Sequence, residues 1–209
     1  LVASDKLAPS ITGDVLFGNG ANNFNVQDGS VTGNTVFGTG ADRLNISGDA
    51  VYVGNANFGG GTDILDIAGT AVFSGRLSGA SGLTANVAGG GILDLKGTAN
   101  IQALNVTGGG TLAVTLGGAD TTAIAVAGDA NFAANSKLLL QLSSIDDGEG
   151  QHVVLTAENI IGGDNLTTST DFLPFLYSGT LTKTDTSLTV NIARKGTEEL
   201  GLNRSEATA

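Results

Sequence analysis

Two carboxylates stand in nearly identical surroundings. Asp66 lies in Ile64-Leu65-Asp66-Ile67-Ala68-Gly69-Thr70-Ala71 and Asp94 in Ile92-Leu93-Asp94-Leu95-Lys96-Gly97-Thr98-Ala99. On neighbouring turns of a repeat structure, such a pair could fall within the roughly 5 to 9.5 Å that separates the carboxyl groups of sugar-cleaving enzymes. No aromatic or basic platform for a sugar accompanies them, so the expectation is a solvated strand face with both aspartates at the same outward position. Gly40-x-Asp42 and Gly61-x-Asp63 have the form of the calcium turns in nonapeptide-repeat proteins. Calcium there requires tandem nine-residue repeats, and the first copy here carries Asn22, which points to turn capping by Asx side chains instead. His152 is the single histidine, so no two-histidine metal site or proton relay can form. Asp146, Asp147 and Glu149 read as a polar turn, and Arg194 and Lys195 as surface charge without a neighbouring nucleophile. No catalytic residue, cofactor or metal site is expected.

These residues are carried by a repeat. Phe17-Gly18-Asn19-Gly20-Ala21-Asn22-Asn23-Phe24-Asn25-Val26 returns as Phe37 to Ile46 and again as Phe58 to Ile67, at intervals of 20 and 21 residues. A fixed period of that size is the mark of a solenoid with one repeat per turn. The close of each phrase alternates, with Phe24/Val26, Leu44/Ile46 and Leu65/Ile67 apolar around Asn25, Asn45 and Asp66; period two is a strand with one buried and one solvated face. Val31, Val51 and Val72 mark a second strand per turn, closed by Gly33, Gly54 and Gly75. The residues from Arg76 to Gly82 read as an enlarged loop, after which strands resume at Ile92, Thr111 and Ala123. The predicted fold is all-β: a right-handed parallel β-helix (β-solenoid) capped by C-terminal antiparallel hairpins.

The chain has 209 residues, enough to bury a real core. Its 33 glycines and two prolines, without collagen periodicity, mark tight turns between ordered strands. A net charge of −11 argues against nucleic acid and anionic membrane surfaces as partners. No apolar run reaches the roughly 20 residues that span a bilayer, so no direct membrane insertion is expected. The absence of cysteine excludes a disulfide framework and suits a chain that crosses an oxidising compartment. A start at Leu1 without methionine points to a piece of a longer polypeptide.

Three segments follow: rungs over 1–130, a hairpin cap over 131–195 and a tail over 196–209 that reads as the start of a linker helix or as a disordered end. In the cap, Ser136 to Ser143 and His152 to Ala157 are expected to pair as a hairpin around Asp146 to Gly150, and Thr180 to Thr184 with Ser187 to Ile192 across Asp185. Phe172, Pro174, Phe175, Leu176 and Tyr177 form the densest aromatic cluster and are the predicted plug of the cap. A last rung left open would expose roughly four to six apolar side chains at ~1.5–3 kcal/mol each, comparable with the stability of a whole domain. It would also leave unpaired strand edges.

On the glycine-rich repeat, the Leu173-Pro174-Phe175-Leu176-Tyr177 cluster, Ser187 to Lys195 and Glu199-Leu200-Gly201-Leu202-Asn203, the chain resembles the C-terminal passenger region of a bacterial type V autotransporter. Ser136 to Asn203 is similar to the autochaperone segment, and the region from Arg194-Lys195 onward to the approach to a linker helix. The resemblance implies a non-enzymatic passenger domain that serves as rigid stalk and folding cap on the bacterial cell surface or after secretion. Its partners would be its own C-terminal outer-membrane β-barrel and a host or neighbouring-cell surface, with adhesion, aggregation and virulence as the roles at hand. A β-helix carbohydrate-active enzyme and a calcium-binding secreted repeat protein are the alternatives.

Overall fold

Alternation in the phrase becomes a strand, and each strand stacks on its copy one turn away. The computed structural model describes residues 8–146 and 148–201. Each turn contributes three short strands. The first turns are β1 (Ser10–Thr12), β2 (Val15–Leu16), β3 (Asn23–Val26); β4 (Ser30–Thr32), β5 (Thr35–Val36), β6 (Arg43–Ile46); and β7 (Val51–Val53), β8 (Ala56–Asn57), β9 (Asp63–Ile67). The next are β10 (Val72–Gly75), β11 (Leu77–Ser78), β12 (Leu83–Ala88); β13 (Ile92–Leu95), β14 (Thr98–Ile101), β15 (Ala103–Thr107); and β16 (Thr111–Leu116), β17 (Ala123–Val126), β18 (Asp129–Phe132). The chain continues through β19 (Lys137–Leu142), β20 (Gly150–Thr156) and β21 (Asn159–Ile161), and then β22 (Thr167–Phe172), β23 (Tyr177–Lys183) and β24 (Ser187–Arg194).

Like positions pair in parallel. One face is the eight-stranded sheet β1-β4-β7-β10-β13-β16-β19-β22, and another the seven-stranded sheet β21-β18-β15-β12-β9-β6-β3. The third face is shared by β11-β8-β5-β2 and by β14-β17-β20-β24-β23. The molecule is a parallel β-solenoid whose last sheet ends in antiparallel strands.

Several readings of the sequence are corrected here. Val31 does not align with Val51: Ser30 pairs with Val51, and Val31 with Tyr52. The intervening turn holds 21 residues, so the same-looking valine lands on the opposite face, outward and 40% exposed. The residues around Arg76 are not an enlarged loop, because β11 continues the rung and Asp63 pairs with Leu83 at the usual spacing. Nor does β19 form a hairpin with β20; it pairs in parallel with β16 and β22, so parallel stacking runs on past residue 130. Parallel or antiparallel pairing is decided by partners far along the chain, which local composition does not record. The expected pairing of 180–184 with 187–192 is present, as antiparallel β23 and β24. Of the expected helical tail, Thr197 to Gly201 form a turn, and the remainder lies outside the described residues.

Inside, the repeated phenylalanines form a column. Phe17 stacks on Phe37 with centroids 4.9 Å apart, and Phe37 on Phe58 at 5.2 Å. A second column sets Tyr52 on Phe73 at 5.1 Å. Each fully buried large side chain contributes about 1.5–3 kcal/mol, and each ring pair about 0.5–1.5 more. The core then continues without a break through Leu93, Leu112 and Leu138 into Leu188, Val190 and Ile192 of β24.

That continuity defines the cap. β24 pairs antiparallel with β20 on one side and β23 on the other, while β20 still pairs in parallel with β17. Leu188, Val190 and Ile192 are at most 1% exposed. The predicted aromatic plug is corrected: Phe172 is 65%, Phe175 76% and Leu176 41% exposed, and Pro174 is also exposed. Tyr177 is half-buried against the core together with Leu173 and Leu181. Alternation along β24 supplies the inward face, so the aliphatic strand rather than the aromatic loop seals the end.

Candidate functional site

Polar side chains repeat once per turn as the apolar ones do, and stacking turns them into ladders. The longest runs down the outer face of the seven-stranded sheet, where Asn25, Asn45, Asp66, Asn86, Asn105 and Asn131 occupy one register column. Asn45 Nδ2 donates to Asn25 Oδ1 at 3.3 Å. Asn86 Nδ2 donates to Asp66 Oδ1 at 2.8 Å, Asn105 to Asn86 at 2.8 Å and Asn131 to Asn105 at 2.9 Å. Asp66 also forms an ion pair with Arg43 of the adjacent column. Asn25, Asn45 and Asp66 are visible in the phrase. Asn86, Asn105 and Asn131 are harder to see because the phenylalanine that opens each early phrase does not recur before them while the strand position persists.

A second group lies on the eight-stranded face. Asp94 Oδ2 accepts from Ser74 Oγ at 2.8 Å, and its Oδ1 pairs with Lys96 Nζ at 2.9 Å. Lys96 Nζ also donates to Thr115 Oγ1 at 2.9 Å and to Gln141 Oε1 at 3.1 Å. Sequence reading missed this group because its members come from four successive turns. Its donors and acceptors are spent on one another.

Asp66 and Asp94 are therefore not paired. Asp66 is on β9 beside Asn86, whereas Asp94 is on β13 beside Ser74, in different sheets. The near-repeat of their surroundings is a resemblance between two strands of different faces, so the expected common outward position is corrected. An open groove of about 340 Å³ beside Leu77 to Ser81, Thr98 and Asn100 has no titratable side chain in its lining. His152 Nε2 lies 3.0 Å from the Gly148 carbonyl, in the turn before β20. Lys195 Nζ donates to the Phe175 carbonyl at 2.9 Å and sits 5.1 Å from that ring's centroid, which pins the exposed loop against the end of β24. Among the described residues, no helix is long and apolar enough to cross a membrane, and no group of three or more His, Cys, Asp or Glu side chains could hold a metal.

No family model, curated protein or solved structure matches this chain.

The third polar feature is inside a corner of the solenoid. Asn22, Asp42 and Asp63, the last positions of the three glycine turns, stack on one another. Asn22 donates from its backbone N and from Nδ2 to Asp42 Oδ1, both at 2.8 Å, and Asp42 N donates to Asp63 Oδ1 at 2.9 Å. The aspartates are buried, at 1% and 0% exposed. Glycine is demanded beside them by contact: a Cβ at Gly38 would lie 2.5 Å from the Gly18 carbonyl oxygen, and one at Gly61 only 1.8 Å from that of Gly40. Turn capping by Asx side chains is what this corner displays, with each aspartate reaching back to cap the backbone N–H of the preceding turn.

Proposed function

We propose that this chain is a passenger segment of a bacterial type V autotransporter, non-enzymatic, acting as a rigid stalk with a C-terminal folding cap on the cell surface or after secretion. The observation that carries the reading is the junction at β20, where a parallel stack gives way to antiparallel β24 and β23 while the apolar core continues unbroken. Such an end lays the apolar side of β24 over the core that the last parallel turns would leave open, which is what the terminal unit of a solenoid has to do. The spent polar groups of the ladders and the separation of Asp66 from Asp94 favour a scaffold over a sugar-cleaving enzyme. Partners on this reading are the protein's own outer-membrane β-barrel and a host or neighbouring-cell surface, with adhesion or aggregation as the activity.

The test is display. The chain is placed before an outer-membrane β-barrel in a Gram-negative cell, beside a version ending at Phe172 that lacks β23 and β24. Surface exposure and protease resistance of the rungs are then measured. The full chain is expected to reach the surface as a protease-resistant unit, and the shortened one to be degraded or held back. Equal display and equal resistance of the two would refute the capping role, and failure of the full chain to be displayed would refute the passenger reading.

A further inference from the structure

The corner stack contains an electrostatic mismatch. In the first turn Asn22 Nδ2 donates to the carbonyls of Gly18 and Gly20, both at 2.9 Å, as well as to Asp42. The next two turns repeat the phrase with aspartate in that slot, preceded by Gly38 and Gly40 and then by Gly59 and Gly61. Where the amide brings hydrogens, an ionised carboxylate brings only lone pairs. Asp42 Oδ2 and Asp63 Oδ2 indeed have no hydrogen-bond partner among the described residues, and both are sealed from solvent. A buried polar atom without a partner is costly, and an unpaired charge more so. A protonated aspartic acid, by contrast, has the shape of asparagine and one hydrogen to donate.

We propose that this corner is a proton-binding site, with Asp63 held as the neutral acid and its Oδ2–H donating where Asn22 donates its amide hydrogens. The proton comes from solvent, and its uptake removes the charge that would otherwise face Asp42 across one strand spacing. Burial and the neighbouring Asp42 push the Asp63 carboxyl above its ordinary range, against the backbone N–H of Asp42, which lowers it; burial is the largest influence. Among the described residues, no other charge intrudes. The strands packed about the corner, β3, β5, β8, β11 and β12, carry no titratable side chain. On β6 and β9 the remaining ionisable groups, Arg43 and Asp66, pair with each other on the outer face.

The sign follows from the raised value. Below the ordinary carboxylate range, Asp63 is protonated whether folded or unfolded and imposes no penalty. As pH rises from there through the folded value, the unfolded chain releases the proton first, so this group's contribution to stability falls. The solenoid is therefore tightest at this corner in acid, opposite to the usual trend for aspartates.

The experiment compares the melting midpoints of the parent and of Asp63→Asn from about pH 4, near the unperturbed carboxyl value, to pH 8, with and without millimolar calcium chloride. The variant is expected to melt higher than the parent at neutral pH, with the two converging in acid and calcium changing neither. A carboxyl carbon NMR titration of the parent reads the same event without a substitution and is expected to show Asp63 titrating above the ordinary range. A variant that melts lower at neutral pH, a pH-independent difference, or an unshifted NMR midpoint would overturn the proposal. Calcium stabilisation that vanishes in Asp63→Asn would overturn it too, in favour of a metal site.

Discussion

The two kinds of residue at the capped end make opposite predictions. Ile192 is 1% exposed and packs in the shared core, whereas Phe175 is 76% exposed and touches the rest of the protein chiefly through Lys195. Ile192→Ala removes three carbons from a sealed site. At about 0.8 kcal/mol per buried methylene that is about 2.4 kcal/mol of transfer free energy. The cavity left behind places the total in the range of ~2–5 kcal/mol. Phe175→Ala gives up little burial and one exposed cation–π contact, worth about 0.5–1 kcal/mol. Urea unfolding followed by far-ultraviolet circular dichroism measures both, with tyrosine fluorescence reporting locally through Tyr52 and Tyr177. The midpoint is expected to fall sharply for Ile192→Ala and to move little for Phe175→Ala. Equal losses for the two, or a larger loss for Phe175→Ala, would refute the assignment of β24 as the seal.

Gly18→Ala and Gly38→Ala change the same phrase position, at backbone angles open to any residue, but only Gly38 has the preceding turn against it. Thermal melts should show Gly38→Ala strongly destabilised and Gly18→Ala close to the parent. Tyr52 donates its buried hydroxyl to Thr35 Oγ1 at 2.8 Å, so Tyr52→Phe should cost about 1–3 kcal/mol by stranding a buried acceptor, read by denaturant midpoint. Burial raises the Tyr52 hydroxyl above its ordinary value of 10.0. The folded state thus resists its ionisation, stability is lost as pH climbs from about 10 through the folded value, and Tyr52→Phe should flatten that alkaline decline. Chelation should leave the melting midpoint unchanged at neutral pH; a fall reversed by calcium would contradict the proton-bound corner.

The period of the solenoid was legible because one requirement, a small residue under the neighbouring turn's carbonyl, recurs with each early phrase. Gly33, Gly54 and Gly75 were read correctly as strand ends for the same reason. Phase was harder. One added residue between Ser30 and Val51 moves a valine from core to solvent, and no single residue announces it. Aromatic density does not by itself imply burial: Phe172 and Phe175 stay exposed, and the seal lies in the alternation of Leu188, Val190 and Ile192 along β24. The corner was half legible: Asx capping was foreseen from Asn22, Asp42 and Asp63, but not their burial or the orphaned oxygens. Those depend on how tightly one turn closes over the next. The Asp94 group could not be foreseen at all, since four turns must assemble before its members meet.

The amide column on the outer face has a direction. Asn131, Asn105 and Asn86 each donate toward the beginning of the chain, and the series stops at Asp66, which only accepts. A turn arriving one residue out of phase would set Asn105 against Ala85 or Val87, break two of these bonds and turn Leu104 outward. The column therefore works as a vernier: it lets each new coil be checked against the last, and only one setting closes every link.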